Sequence, residues 1–251
     1  MVGPVTADWN ATAYDRIADP QTKWGAEVLD RLPLEGGETV LDAGCGTGRV
    51  TELLLARLPR GRVVALDRSG AMLDEARRRL AAHGDRVSYV QADLEQPLPV
   101  DGRVDAVLST ATFHWVLDHD ALFANLAAVM RPGGWLVAQC GGFGNIAGFL
   151  AVARAVDPTF SKQHNFQTAE ATRARLEGSG FEAIETWLSE APTRFERGAP
   201  LEAFLETVCL RPHVDQLPAA RREAFVKEVA DRMPEPVLDY VRLNVVARRA
   251  T

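Results

Sequence analysis

From residue 39 the chain reads Thr-Val-Leu-Asp-Ala and then Gly44-Cys45-Gly46-Thr47-Gly48, an apolar run that ends in a glycine-rich bend. Glycines after a buried strand let the backbone turn tightly and approach a ligand where any Cβ would collide. A helix that starts there presents unpaired N–H groups and the positive end of its dipole, which suits an anionic or acceptor-rich ligand. Asp67 ends the next apolar run, 23 positions after Gly44, where a carboxylate can accept both hydrogens of a ribose diol. These parts fit a nicotinamide dinucleotide and an adenosyl amino acid alike. Three further features favour the second. Asp42, two residues before the first glycine, would repel a pyrophosphate but can hold an ammonium, directly or through water. The spacing is Gly-x-Gly-x-Gly, not Gly-x-Gly-x-x-Gly. Asp93 ends a third apolar run, set to accept from an adenine amino group.

Other residues offer contacts to a second reactant. His114 follows the fourth apolar run, at the crevice where open α/β sheets bind ligands. An imidazole there can donate to a substrate carboxylate or take a proton from a hydroxyl, and a structural ring tied to a backbone carbonyl is its competing role. Trp115 can close over a cationic sulfur by cation–π contact or anchor its loop by packing. Tyr14 can reach a carboxylate of the cofactor or cover the pocket, and Trp9 can contact the substrate; packing is the other role of each. Arg211 and His213, either side of Pro212, can pair with a substrate carboxylate, for which the arginine fork is the natural match. Cys45 lies in the glycine loop, where a small packing residue would also serve. No metal site is expected: Cys45, Cys140 and Cys209 form no Cys-x-x-Cys pair, and the five histidines show no His-Glu-x-x-His spacing.

The elements that must position these residues alternate between strand-like and helix-like periods, which predicts a parallel sheet with crossover helices. Strands are expected at 39–43, 63–66, 87–92, 104–109 and 135–140. The helix after the glycines would bury Val50, Leu53, Leu54 and Leu58 and stop at Pro59. The next, capped by Ser69, would bury Met72, Leu73, Ala76 and Leu80. Beyond Gly141 the pattern predicts helices near 145–156 and 168–178, a strand near 182–189, helices near 200–210 and 218–232, and a last strand near 237–248. A single domain is expected over 1–251: an N-terminal helical cap over 1–35, a cofactor-binding core over 36–140, and a substrate-side half over 141–251.

Composition narrows the partners. With 47% apolar and 25% charged residues the chain has the balance of a globular protein, and its net charge of −6 argues against duplex or structured nucleic acid. An odd number of scattered cysteines fits a reducing compartment. No apolar run reaches membrane length, and Met-Val-Gly-Pro-Val-Thr-Ala-Asp lacks the blocks of a secretion signal. The expectation is a cytoplasmic monomer or homodimer with a small-molecule substrate.

Val40-Leu41-Asp42-Ala43-Gly44-Cys45-Gly46-Thr47-Gly48 resembles the first motif of class I S-adenosylmethionine-dependent methyltransferases. Asp67, Ala92-Asp93-Leu94 and Arg131-Pro132-Gly133-Gly134-Trp135 resemble its later landmarks, and the likeness covers about residues 8–140. It implies a Rossmann-like, seven-stranded, mostly parallel sheet flanked by helices, with the last strand antiparallel. It also implies S-adenosyl-L-methionine as cofactor and S-adenosyl-L-homocysteine as product. Gly44 and Gly46 would line the methionine tail, Asp67 would hold the ribose, and Asp93 with Leu94 would frame an adenine flanked by Arg68 and Met72. Cys45, Ala92 and Ser109 would complete the cofactor pocket.

More loosely, the rest of the chain is similar to trans-aconitate methyltransferases, which esterify small carboxylic acids. Trp9-Asn10 with Tyr14, Phe113-His114-Trp115-Val116, and Glu206-Thr207-Val208-Cys209-Leu210-Arg211-Pro212 carry that likeness, the last within a helical lid at about 198–234, inserted before the last strand. His114 departs from it, since those enzymes more often show glutamine there. The implied reaction is carboxyl O-methylation. Methylation of a hydroxyl, nitrogen or carbon of another small molecule stays open, and nicotinamide-dependent oxidoreduction is a more distant alternative.

Overall fold

In the sheet's centre, residues pointing to both faces are apolar, because both faces are covered by helices. The computed structural model describes residues 19–160 and 164–251. After helix α1 (Asp19–Leu29) come β1 (Thr39–Ala43), α2 (Arg49–Arg57), β2 (Arg62–Asp67), α3 (Gly70–Arg79), β3 (Val87–Gln91) and β4 (Val104–Thr110). A single 3₁₀ turn, Phe113–Trp115, leads to α4 (His119–Val129) and β5 (Met130–Gly141). Then follow α5 (Ala147–Val156), α6 (Ala169–Gly178) and β6 (Phe181–Glu190). The remainder is β7 (Thr193–Arg194), α7 (Ala199–Phe204), α8 (Arg211–Val214), α9 (Ala219–Arg232), β8 (Val237–Leu238) and β9 (Val241–Arg249).

The main sheet has the order β3-β2-β1-β4-β5-β9-β6. β1 to β5 are mutually parallel, and β9 runs antiparallel to both β5 and β6. Alternation along each strand sorts the core. Leu41, Val64 and Leu66 join Phe113, Phe123 and Leu136 on one face. Val40, Val63 and Ala65 join Leu54, Leu58 and Leu73 on the other. Strand order reverses between β1 and β4, so the chain leaving their carboxyl ends diverges and opens a crevice there.

Three local expectations are corrected. On α2, Leu54 and Leu55 are buried and Leu53 is 38% exposed. Three successive leucines permit two faces, and the choice follows Thr51, whose buried hydroxyl turns inward to Asp42. The helix expected near 200–210 continues past Phe204 as a π turn over Leu205–Cys209, closed by Leu210 N–H to Leu205 O at 2.8 Å. Pro212 then sits in the first turn of α8, where its missing N–H costs nothing. The last strand is split: β8 pairs with β7, and the chain bends at Asp239-Tyr240 before β9.

That β7–β8 pair brackets the helical insertion at its base. Above it α5, α7 and α9 bury a third cluster containing Phe149, Phe204, Leu210, Phe225 and Val229. No helix among the described residues is long and apolar enough to cross a membrane.

Candidate active site

At the end of β1 the chain turns through Gly44 (φ +86), Gly46 (φ +54) and Gly48 (φ +82), all in the left-handed region. The first two glycines serve different ends. A Cβ on Gly44 would lie 2.1 Å from Thr112 Oγ1, so this glycine lets the β1 and β4 loops touch. A Cβ on Gly46 would meet nothing within 4 Å and would project into open space. Asp67, at the end of β2, braces the bend: Gly46 N–H donates to Oδ2 and Ser69 N–H to Oδ1, each at 2.9 Å. Each carboxylate oxygen keeps a lone pair for a further donor. Burial raises its pKa, and those two amides oppose the rise.

Around the bend lies a cleft of about 410 Å³, within the range of small-molecule sites. Gly44, Gly46, Asp67, Arg68, Met72, Ala92, Asp93, Leu94 and Trp115 all line it. Residues not singled out from the sequence also do so. Thr112 is one; Glu95 is another, and its Oε1 accepts Leu117 N–H at 2.6 Å and so ties down the rim.

Asp42 lies behind the bend, 1% exposed, with Oδ2 accepting the Thr51 hydroxyl at 2.6 Å. Its Oδ1 is buried with no hydrogen-bond partner among the described residues. Burial pushes this carboxyl up to about 7, against the pull of Thr51 and with a small push from the Asp67 charge. A carboxylate oxygen without a donor is a costly thing to bury. An ammonium or a bridging water is what its chemistry calls for. The open space at Gly46, the braced Asp67 and this orphaned oxygen together fit an adenosyl amino acid.

Two expected cofactor residues turn away from the cleft. The Cys45 thiol packs in the core with Leu54 and Leu73, where burial raises its pKa strongly. The Ser109 hydroxyl donates to Ala43 O at 2.7 Å and fastens β4 to β1. Strand alternation points Ser109 into the protein, and the bend turns Cys45 the same way. Tyr14 and Trp9 lie outside the described residues.

A second, smaller chamber of about 50 Å³ shares Ala111 and Trp115 with the cleft. His114 lines it, and its place in the 3₁₀ turn fixes the ring's role. Gly141 N–H points at His114 Nδ1 at 3.2 Å. An amide can only donate, so Nδ1 accepts and the neutral ring carries its hydrogen on Nε2. Burial holds the pKa well below the usual histidine range. The arrangement makes His114 a donor, and the general-base role raised from the sequence does not fit it.

His164 and Phe166 stack at 5.0 Å and extend the aromatic wall begun by His114 and Trp115. Asn145, Ile146, Val208, Cys209, Tyr240 and Arg242 complete the chamber. Ala111 (φ +55) and Ile146 (φ +48) are two of the three non-glycine residues with positive φ among those described. Strain of this kind persists where surrounding structure over-determines a site.

Neither Arg211 nor His213 reaches this chamber or the cleft, contrary to expectation. Arg211 Nε pairs with Asp215 Oδ2 at 2.9 Å, one turn along the same helix. His213 is buried in the helical insertion, 3.2 Å from Asp157 Oδ2, with its ring against Phe160 and Phe225. Their places on α8 leave both side chains with partners inside the helical insertion and its neighbours. The buried cation at the chamber is Arg242 instead. Its signal in the sequence was Val-Arg-Leu-Asn-Val-Val, two polar residues sharing one face of an otherwise apolar strand.

A doubly wound sheet with one antiparallel strand near its edge, a glycine bend after its first strand and an acid ending its second define a class I S-adenosylmethionine-dependent methyltransferase. A family described as methyltransferase domain matches residues 40–134. Trans-aconitate 2-methyltransferases of Paracidovorax citrulli and Methylobacterium nodulans are 30% and 32% identical to this chain, each alignment covering 97% of it and 99% of the relative. The chain belongs to the trans-aconitate 2-methyltransferase family. Its fold is shared with Haemonchus contortus phosphoethanolamine N-methyltransferase 2, solved in complex with S-adenosyl-L-methionine. That likeness has a TM-score of 0.63 at 20% identity over 96% of this chain and 56% of the other.

Proposed function

We propose that this methyltransferase transfers its methyl group to a carboxylate oxygen of a compact polycarboxylic acid of the trans-aconitate kind. One observation carries the reading. The chamber beside the cofactor cleft is lined by a buried arginine and a neutral, donating histidine, with no carboxylate among its described lining residues. Such a chamber suits an anion that is already a competent nucleophile. Family membership points the same way.

Bound in the cleft, the cofactor supplies a methyl on a cationic sulfur; the acceptor oxygen forms a C–O bond as the C–S bond breaks, its electron pair passing to sulfur, and no proton moves. The chain's own work is to hold the parts. Asp67 accepts from the ribose hydroxyls with the lone pairs its two backbone amides leave. Asp93 and Leu94 frame the adenine between Arg68 and Met72. Gly46 leaves room for the amino-acid tail, whose ammonium is balanced by Asp42. Trp115, on the wall common to both cavities, borders the transferring methyl. His114 steadies the acceptor by donation. Positioning of this kind can contribute roughly 7–11 kcal/mol to barrier lowering when the reacting atoms are held near attack.

A small acceptor, not a nucleic acid, agrees with the −6 charge, and three free, buried thiols support a cytoplasmic setting. The test is transfer from a methyl-labelled donor to a panel of carboxylic acids, phenols and amines. Base-labile methyl esters from polyacids are expected. Turnover of phenols or amines with no ester from any acid would overturn the reading.

A further inference from the structure

A single side-chain hydrogen bond ties the helix after the glycine bend back to the strand before it. Thr51, the third residue of α2 and fully buried, sets its hydroxyl 2.6 Å from Asp42 Oδ2. A threonine on a helix commonly gives its hydroxyl to a carbonyl three or four residues back. Here it crosses to β1 instead. A carboxylate has no hydrogen to offer, so against ionised Asp42 the hydroxyl is the donor.

The two oxygens of a carboxylate are equivalent until a neighbour tells them apart, and the torsion that exchanges them is soft. Thr51 makes that distinction. It claims Oδ2, and Oδ1 has no hydrogen-bond partner among the described residues. The flanking strands place Ala65 and Leu108 beside Asp42, and neither side chain can bond a carboxylate. The titratable groups that face it are Asp67, at the end of β2, and the Cys45 thiol in the bend. Burial keeps that thiol protonated, and it donates to Gly46 O at 3.6 Å. Asp67 adds repulsion, and against burial and repulsion stands the Thr51 hydroxyl.

We propose that Thr51 is a positioning residue for cofactor binding: by holding Oδ2 it keeps Asp42 Oδ1 turned to the ammonium of the amino-acid tail. The hydroxyl also favours the ionised carboxylate, so its removal raises the pH at which Asp42 takes a proton and stops balancing the ammonium. This rests on the assignment of Asp42 to that ammonium and not on the acceptor, so loss of the carboxylate reading leaves it standing.

The test compares S-adenosyl-L-homocysteine with 5′-methylthioadenosine, which keeps the adenosine and the sulfur but has no amino-acid tail. Thr51→Val nearly keeps the side chain's shape and deletes the donor. A hydrogen bond to a charged group supports a shift of about one pH unit in the Asp42 titration. Thr51→Val should therefore weaken S-adenosyl-L-homocysteine about fivefold or more at pH ~7 and leave 5′-methylthioadenosine within about twofold. The ratio of wild-type to Thr51→Val affinity for S-adenosyl-L-homocysteine should grow about fivefold between pH ~8 and pH ~5.5. Thr51→Ser restores the hydroxyl and should return affinity and pH profile to within about twofold of wild type. Melting temperatures report folding, and Thr51→Ala removes the same donor if the valine variant does not fold.

Equal losses for the two ligands, or an affinity ratio that stays constant with pH, overturn the inference and leave Thr51 a packing role only. A wild-type affinity that is itself flat with pH removes the Asp42 assignment, and the Thr51 role goes with it.

Discussion

Acidification should weaken cofactor binding through one buried carboxyl, Asp42. Without cofactor, burial holds this group near a pKa of about 7, and its Oδ1 has no donor among the described residues. The ionised form is the one that balances a cofactor ammonium, so affinity should follow the ionised fraction. That fraction falls from about one half at pH ~7 to about one in thirty at pH ~5.5, a weakening of about fifteenfold or ~1.6 kcal/mol. The amino group of the cofactor stays protonated across this window and does not blur the slope. Binding at the acid end should also expel close to one proton. Isothermal titration of S-adenosyl-L-homocysteine in two buffers of different ionisation enthalpy reads both quantities. Asp42→Asn should bind more weakly at neutral pH and lose the slope. A wild-type affinity that stays flat over this range, with no proton released, would refute the assignment of Asp42 to the ammonium.

The same carboxyl has a cost in stability. A folded pKa raised above the unfolded value of roughly 4 means stability is lost as pH climbs from about 4 to about 7, and the loss persists above. Cofactor-free Asp42→Asn should therefore be more stable than wild type at pH ~8, by roughly 2–4 kcal/mol less the altered Thr51 hydrogen bond, in denaturant titrations. The two glycines should part company. Gly44→Ala drives a methyl into Thr112 and should lower the melting temperature sharply, whereas Gly46→Ala meets no atom and should fold, at a strain cost of about 1 kcal/mol, yet bind cofactor less well. Arg211→Ala should leave the KM for the acid acceptor within about twofold and cost about 0.5 kcal/mol of stability, the worth of one i,i+4 ion pair. A large rise in KM would return Arg211 to the acceptor site.

Much of the fold was legible because parallel strands buried on both faces read as short apolar runs, and Gly44, Asp67 and Asp93 punctuate their ends. The cleft was legible for the same reason. Its lining comes from short stretches after β1, β2, β3 and β4, where position relative to a strand end fixes what a residue can face. Errors arose where a strand end does not decide direction. Cys45 and Ser109 stand among cleft residues in the sequence, yet the turn of the glycine bend buries the first and alternation along β4 the second. At Leu53 three adjacent leucines left the helix face undetermined until Thr51 bonded Asp42.

The acceptor chamber was far less legible, and the reason is topological. Its wall joins the turn after β4, the loop before α5, the segment before α6, the π turn after α7 and the first residues of β9. β9 reaches β5 because the last strand returns antiparallel between β5 and β6. No local spacing ties Arg242 to His114; their meeting is a property of the completed sheet. What the sequence did hold was an energetic anomaly. Arg242 and Asn244 share a face of a strand whose other face carries Leu243, Val245 and Ala247 into the core. A charge in such a place survives only if every polar neighbour is satisfied. Gln139, Asn244 and Arg31 contribute to that with three side chains, joined by a hydroxyl from Ser189. Replacing the set by packed apolar residues would often be as stable or more so. That such a network ends at a cavity wall, beside strained Ala111 and Ile146, argues that its purpose lies in the cavity.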